Sequence, residues 1–170
     1  LPATHRNGYI VMAIGARHVT KKLPPHKLIS LCRQINQPVV LVGGNEDKLT
    51  GEKVVLEAGN NVYNACGLYS INQSASLIQQ AKKVVTHDTG MMHIASAFKK
   101  EIISIWGNTI PAFGMYAYYS VNGEKNKSHN VEVANLSCRP CSKLGFKECP
   151  EKHFKCMEDI DENKIIELLA

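Results

Sequence analysis

The segment KVVTHDTGMMHIASAF, residues 83–98, decides how the rest of the sequence is interpreted. Its first four residues form a short β-branched run that is typical of a buried strand, and apolar residues then recur at helical spacing from Met92 to Phe98. The strand and the helix are separated by a polar turn that consists of His87, Asp88, Thr89 and Gly90. The turn is therefore predicted to follow the carboxyl end of a strand and to open a helix.

A turn in this position favours the binding of an anion, above all a phosphate. The start of a helix offers unpaired backbone N–H groups and the positive end of the helix dipole. Gly90 would let a ligand approach the backbone without a Cβ in the way, while Asp88 and Thr89 could cap the helix or turn toward hydroxyl groups. In the alternative interpretation, Asp88 or Thr89 only caps the helix and His93 is a packing residue.

Strand and helix patterns alternate along the rest of the chain. Further strands are predicted at residues 9–14, 39–42, 62–64 and 102–106, and further helices at residues 25–35, 50–58, 70–81 and 162–170. Because the strands are continuous apolar runs, the pattern predicts a mostly parallel sheet covered on both faces. The expected fold class is α/β, a Rossmann-like three-layer domain. A single domain is predicted over residues 1–170, with a Cys-rich carboxyl-terminal tail at about residues 136–170.

Composition limits the classes of protein that fit. The chain has 170 residues, 44% of them hydrophobic, which is enough for one substantial core. Its 20 basic and 15 acidic residues give a net charge of +5, which suits an anionic ligand. The lysines are scattered and do not interleave with aromatic residues, so no nucleic-acid partner is predicted. No apolar run approaches the roughly 20 residues that a membrane span needs, and no signal-peptide pattern opens the chain, so a cytoplasmic protein is expected.

Three other turns follow predicted strands and should therefore lie at the same edge of the sheet. GARHVTKKLP, residues 15–24, offers Lys21 or Lys22 to a phosphate. LVGGNE, residues 41–46, ends on the carboxylate of Glu46, which could accept hydrogen bonds from ribose hydroxyls. GNTIP, residues 107–111, has an Asn and a Thr that could reach a ligand, but the same composition makes an ordinary loop. The first two turns more often form plain surface structure, and the GxGxxG fingerprint of dinucleotide binding is absent from the sequence.

Four blocks occur in order along the sequence: GARHVTKKLP, LVGGNE, HDTGMMHIASA and IWGNTIP. Together they resemble the carboxyl-terminal half of family 9 glycosyltransferases, the lipopolysaccharide heptosyltransferases and their relatives. The resemblance covers residues 9–157, and D-T-G-x-x-H-x-A is its most specific block. It implies one lobe of a two-lobed GT-B enzyme, the lobe that binds the nucleotide-sugar donor. The implied reaction transfers a sugar, heptose from ADP-heptose, to lipopolysaccharide or a related cell-envelope glycan.

The resemblance also implies the donor-binding residues. It places Lys21 near the diphosphate, Glu46 beside the ribose and Tyr69 against the base. In the D-T-G block it places Asp88 near the sugar hydroxyls and the Thr89–Gly90 backbone near the phosphates. The full implied set is Lys21, Glu46, Tyr69, Asp88, Thr89, Gly90 and His93. His87 and Met91 depart from the residues usual in the family and are not expected to be essential.

The expected chemistry needs no cofactor. A helix amino terminus together with Lys21 would stabilise the departing diphosphate without a metal ion. In the family, the base that activates the acceptor lies in the amino-terminal lobe, which this sequence does not contain, so no catalytic residue is assigned here. The chain is therefore expected to bind the donor without turnover. A glycolipid acceptor would be held by that other lobe, with peripheral contact to the inner face of the cytoplasmic membrane.

The tail contains Cys138, Cys141, Cys149 and Cys156, spaced Cys-x2-Cys-x7-Cys-x6-Cys. In a cytoplasmic protein such a set first suggests a structural zinc site, although the spacing is irregular for the common zinc folds. Free or packed thiols and disulfides are the alternatives.

Two functions of different classes follow from these observations. The first is the donor-binding lobe of a sugar transferase. The second is a non-catalytic module that holds a nucleotide or phosphate at the same sheet edge. A UDP-sugar epimerase of the same architecture is a third, weaker interpretation.

Overall fold

A computed structural model describes residues 1–119 and 127–170 of the chain. Its centre is one six-stranded sheet, in which every neighbouring pair of strands is parallel. In chain order the strands are β1 (Ile10–Ala13), β2 (Val39–Val42), β3 (Val62–Asn64), β4 (Lys83–His87), β5 (Glu101–Trp106) and β6 (Ser128–Glu132). The helices are α1 (Pro25–Gln34), α2 (Lys48–Ala58), α3 (Ile71–Gln80), α4 (Gly90–Ala97), α5 (Lys155–Glu158) and α6 (Glu162–Leu169).

Helices cover both faces of the sheet. The side chains of Ile10 and Met12 face one apolar cluster, which contains residues of α1, α2 and α6. The side chains of Val11 and Ala13 face the other cluster, which contains residues of α3 and α4. Successive residues of β1 thus enter opposite cores, which is why this strand is apolar throughout instead of alternating. The predicted three-layer, Rossmann-like fold is confirmed.

Most predicted elements are present, with small shifts at their ends. Helix α2 begins at Lys48, two residues before the predicted start at residue 50, and β4 extends to His87. Strand β6 was not predicted because its sequence, SHNVE, is polar and only Val131 is buried. Such a strand at the edge of a sheet carries no periodic apolar signal.

The strand order, β3-β2-β1-β4-β5-β6, determines where a ligand can bind. The chain leaves β1 toward β2 and β3 on one side, and it returns to β4 on the other side of β1. The loops that follow β1 and β4 therefore diverge, and in open α/β sheets the crevice between such loops is the usual ligand site. Within the described residues, no helix is long and apolar enough to cross a membrane.

Candidate functional site

The start of α4 lies at this crevice with its backbone N–H groups open. Thr89 precedes the helix in an extended conformation, and its side chain makes no capping hydrogen bond. In the described part of the chain, the N–H groups of Gly90 and Met91 have no acceptor. A Cβ placed on Gly90 would meet nothing within 4 Å. The protein thus leaves room for a ligand against these two N–H groups, and the interpretation of Thr89 as a side-chain cap is wrong.

The carboxylate of Asp88 is fixed by two hydrogen bonds to one of its oxygens, while the other oxygen is free. Its Oδ2 atom accepts a hydrogen bond from Lys21 Nζ at 2.6 Å and a second from Thr109 Oγ1 at 3.0 Å. Lys21 comes from the loop after β1 and Thr109 from the loop after β5. Among the described residues, Oδ1 has no hydrogen-bond partner. Asp88 therefore has a fixed orientation and one oxygen available to a hydroxyl group.

The loop that carries Thr109 is in turn held by Arg139, whose side chain is 7% exposed. Its guanidinium donates hydrogen bonds to the backbone carbonyls of Thr109 at 2.9 Å and Gly107 at 2.5 Å, and it pairs with Glu132. Sequence analysis missed this residue. Its only local signal is an arginine between Cys138 and Pro140, and the loop that it holds lies about 30 residues away in the sequence.

A second lysine–carboxylate pair, Lys22 and Asp47, lines the other side of the crevice. Lys22 Nζ lies 2.6 Å from Asp47 Oδ1, and Asp47 Oδ2 accepts a hydrogen bond from the N–H of Gly44 at 2.9 Å. Both oxygens of Asp47 are therefore occupied. Sequence analysis missed Asp47 as well. The available signal was its position three residues after Gly44, where a capping carboxylate is common.

Two clefts flank the start of α4. The first, which we call the Glu46 cleft, measures about 470 Å³ and is lined by Glu46, Gly44, Ile71 and Met91 among others. The second, the Asp88 cleft, measures about 360 Å³. It is lined by Lys21, Asp88, His93, Met115 and Leu144, together with His18. Arg17, Thr89 and Gly90 line both clefts and form a shared rim between them.

The structure brings six of the seven predicted donor residues to these clefts. Glu46 lies in the first cleft, while Lys21, Asp88 and His93 lie in the second, with Thr89 and Gly90 on the rim. Tyr69 lines neither cleft, and its hydroxyl lies 3.3 Å from that of Tyr63. Ile71, two residues further along the chain, lines the Glu46 cleft instead.

Comparison with known proteins identifies the family. The model of glycosyltransferase family 9 (heptosyltransferase) matches residues 2–155, which is most of the chain. The chain belongs to glycosyltransferase family 9.

Heptosyltransferases are also among the relatives that match in sequence and the solved structures that share the fold. Lipooligosaccharide heptosyltransferase 2 of Campylobacter jejuni is 29% identical over 127 residues, which are 74% of this chain and 37% of the relative. The structure of E. coli ADP-heptose lipopolysaccharide heptosyltransferase II matches 95% of this chain and 45% of its own, with a TM-score of 0.72 and 22% identity. E. coli heptosyltransferase WaaC with ADP matches 95% of this chain and 43% of its own, with a TM-score of 0.65 and 18% identity. The family 9 chain thus spans less than half the length of these proteins.

His87 has a structural role in the family 9 chain. It is buried, and its Nε2 atom accepts a hydrogen bond from the N–H of Leu23 at 3.0 Å. Burial, and after it the nearby charge of Lys22, lowers the pKa of His87 to about 4, so the ring is neutral at pH 7. The residue lines neither cleft, which agrees with the interpretation that it is not needed for ligand binding.

The cysteines of the family 9 chain are free thiols. Burial, and then the neighbouring Cys141 and Cys149, raises the pKa of Cys156 to about 11, so this thiol is protonated at pH 7. Cys138 Sγ lies 3.8 Å from His153 Nε2. Within residues 1–119 and 127–170, no group of three or more His, Cys, Asp or Glu side chains is arranged to hold a metal ion. This arrangement does not fit a tetrahedral zinc site, and bound zinc stays a prediction that metal analysis of the purified protein would test.

Proposed function

We propose that the chain is the donor-binding lobe of a heptosyltransferase, which transfers heptose from ADP-heptose to lipopolysaccharide or a related cell-envelope glycan. The observation that carries this proposal is the pair of clefts joined at a rim with open backbone N–H groups. A nucleotide sugar has the same three-part layout: a nucleoside, a diphosphate and a sugar. Family membership supplies the class of reaction.

The Glu46 cleft suits the nucleoside. The exposed carboxylate of Glu46 can accept hydrogen bonds from both ribose hydroxyls. Ile71 and Met91 offer apolar surface to a base. The volume of about 470 Å³ lies within the range that is usual for small-molecule sites. The contact of Tyr69 with the base stays a prediction.

The Asp88 cleft suits the sugar. The free Oδ1 of Asp88 is a charged acceptor for sugar hydroxyls, and Lys21 and Thr109 fix the orientation of the carboxylate. His93 supplies a further polar group from the exposed side of α4. A rigid acceptor that a substrate hydroxyl must satisfy discriminates strongly against analogues that lack that hydroxyl.

The rim suits the diphosphate, which is the leaving group. In the transfer, the bond between the anomeric carbon and the diphosphate oxygen breaks, and its electron pair stays on the diphosphate. The acceptor hydroxyl oxygen bonds to the anomeric carbon and gives its proton to a base. The open N–H groups of Gly90 and Met91 stabilise the charge that develops on the diphosphate, and we propose that no metal ion takes part. The base and the acceptor site are assigned to a part of the enzyme outside this chain.

Calorimetric titration of the chain with ADP, UDP, GDP, CMP and inorganic phosphate tests the proposal. ADP should bind most tightly, and Glu46→Gln should weaken ADP binding severalfold because ribose hydroxyls lose a charged acceptor. Glu52→Gln, an exposed position on α2, is the matched control and should leave binding unchanged. If no nucleotide binds more tightly than phosphate, the chain is not a donor lobe.

We also propose a cytoplasmic location and a peripheral contact with the inner face of the membrane, and the membrane contact is supported by family membership. Sedimentation of the full-length gene product with anionic phospholipid vesicles tests the membrane contact.

A further inference from the structure

Arg17 lies on the rim where the two clefts meet. It lies in the loop after β1, just after Gly15 and Ala16, and it lines both clefts. Of the described residues, only Thr89 and Gly90 share this position, and both belong to the opposite loop, after β4. A ligand that extends from one cleft to the other must therefore pass between Arg17 and the start of α4.

Arg17 is also the cation of this loop whose charge is not already matched. Lys21 Nζ lies 2.6 Å from Asp88 with a side chain that is 13% exposed, and Lys22 Nζ lies 2.6 Å from Asp47. Arg17 is exposed, and in the part of the chain that the structure describes its side chain makes no ion pair or hydrogen bond. Its N–H donors are thus available to a ligand, whereas the charge of each lysine is offset by a carboxylate.

We propose that Arg17 is the residue that binds the donor's diphosphate and makes the site prefer a nucleoside diphosphate over a monophosphate. This inference rests on the proposed function and deepens it. A planar guanidinium can donate two parallel hydrogen bonds to oxygens of adjacent phosphates, which a lysine ammonium cannot do with the same geometry. Lys21 orients Asp88, and its position near the diphosphate stays a prediction. Arg17 and the N–H groups of α4 supply the donors that no protein carboxylate occupies.

The test is calorimetric titration of the wild-type chain and its variants with ADP, AMP and adenosine. Arg17→Ala should weaken ADP binding about tenfold or more, weaken AMP binding less, and leave adenosine within about twofold. Arg17→Lys should restore only part of the ADP affinity, because it keeps the charge and loses the paired donors. Arg6→Ala removes an equally exposed arginine far from the clefts and should change none of these affinities. Thermal unfolding of each variant confirms that it is folded.

The outcomes separate this inference from the proposed function. If the wild-type chain binds ADP and Arg17→Ala leaves the preference for ADP over adenosine unchanged, Arg17 does not bind the diphosphate and the donor-lobe proposal stands. Full recovery of ADP affinity in Arg17→Lys would overturn the paired-donor geometry. If the wild-type chain binds no nucleotide, the proposed function fails, and this inference fails with it.

Discussion

The two sides of the crevice each contain a lysine–aspartate ion pair, but the two aspartates differ in how many of their oxygens are free. Lys21 and Lys22 are adjacent, and each ammonium lies 2.6 Å from a buried carboxylate, Asp88 for the first and Asp47 for the second. Asp47 has both oxygens occupied, by Lys22 and by the N–H of Gly44. Asp88 receives both of its donors on Oδ2. The number of free acceptor positions, and not the ion pair itself, distinguishes a structural carboxylate from one that can bind a ligand.

The local backbone explains this difference. Asp47 ends the 3-10 turn Asn45–Asp47, and its second oxygen accepts the N–H of Gly44 at the start of that turn. Asp88 follows β4 at the crevice, where the Thr109 hydroxyl approaches the oxygen that already faces Lys21. Substitution of asparagine for each aspartate therefore compares the two sites directly.

Asp47→Asn should have the largest effect on stability. The amide nitrogen must face either Lys22 or the N–H of Gly44, so a donor is forced against a donor in a buried site. We expect a loss of about 3 kcal/mol in the free energy of unfolding, measured by urea denaturation. Asp159→Asn, an exposed control, should change it by less than about 0.5 kcal/mol. An equally small change at Asp47 would show that this pair is not structural.

Protonation of His87 should have the next largest effect, because its bond to Leu23 ties the lysine loop to the end of β4. The pKa of His87 is about 4 in the folded chain, below its ordinary value of about 6.5 when unfolded. The unfolded chain therefore binds the proton first, so this contribution to stability is present above about pH 6.5 and is lost as the pH falls toward 4. Between pH 7 and pH 5 we expect a loss of roughly 2 kcal/mol from this group.

Urea denaturation of wild type and His87→Gln at a series of pH values measures this contribution. Glutamine can accept the Leu23 hydrogen bond and does not titrate. The stability of the variant should therefore fall less between pH 7 and pH 5 than that of the wild type. Identical pH dependence would assign the acid sensitivity to other groups.

Local pattern was sufficient to predict five of the six described strands and the turn at Asp88–Gly90, because these depend on neighbouring residues. The order of the strands does not depend on neighbouring residues. That β1 lies beside β4, and so brings Arg17 to the start of α4, follows from contacts between segments far apart in sequence. Local pattern also could not show whether Lys21 or Lys22 lies near the phosphate. The choice of Lys21 came from the family resemblance.

Asp47 and Arg139 were missed for the same physical reason. Each acts through partners supplied by the folded chain: Lys22 lies 25 residues from Asp47, and Thr109 lies 30 residues from Arg139. A buried charge in a polar segment has no periodic signal. Asp47 had one local signal, its position three residues after Gly44, but its ion pair with Lys22 is visible only in the folded chain.

Asp88→Asn should destabilise the chain by about 1 kcal/mol, clearly less than Asp47→Asn. The asparagine oxygen can still accept from Lys21 and Thr109, while its amide nitrogen takes the open position of Oδ1. Binding should change more than stability. Titration with ADP-heptose and ADP should show that the variant loses about tenfold in its preference for the nucleotide sugar, because the charged acceptor for sugar hydroxyls is gone. An unchanged preference would place the sugar outside the Asp88 cleft.

Gly90→Ala should have the smallest effect on stability. It tests the rim alone, because it changes neither Asp47 nor Asp88. The new Cβ meets no protein atom within 4 Å, so the free energy of unfolding should stay within about 0.5 kcal/mol or rise slightly with the better helix propensity of alanine. The same methyl group would occupy space that a phosphate needs to reach the N–H groups of Gly90 and Met91, so ADP binding should weaken roughly fivefold while adenosine binding is unchanged. Ala97→Gly, at the other end of α4, is the control for the helix itself. If Gly90→Ala leaves ADP affinity intact, the diphosphate does not contact the start of α4, and the two clefts hold separate ligands instead of one.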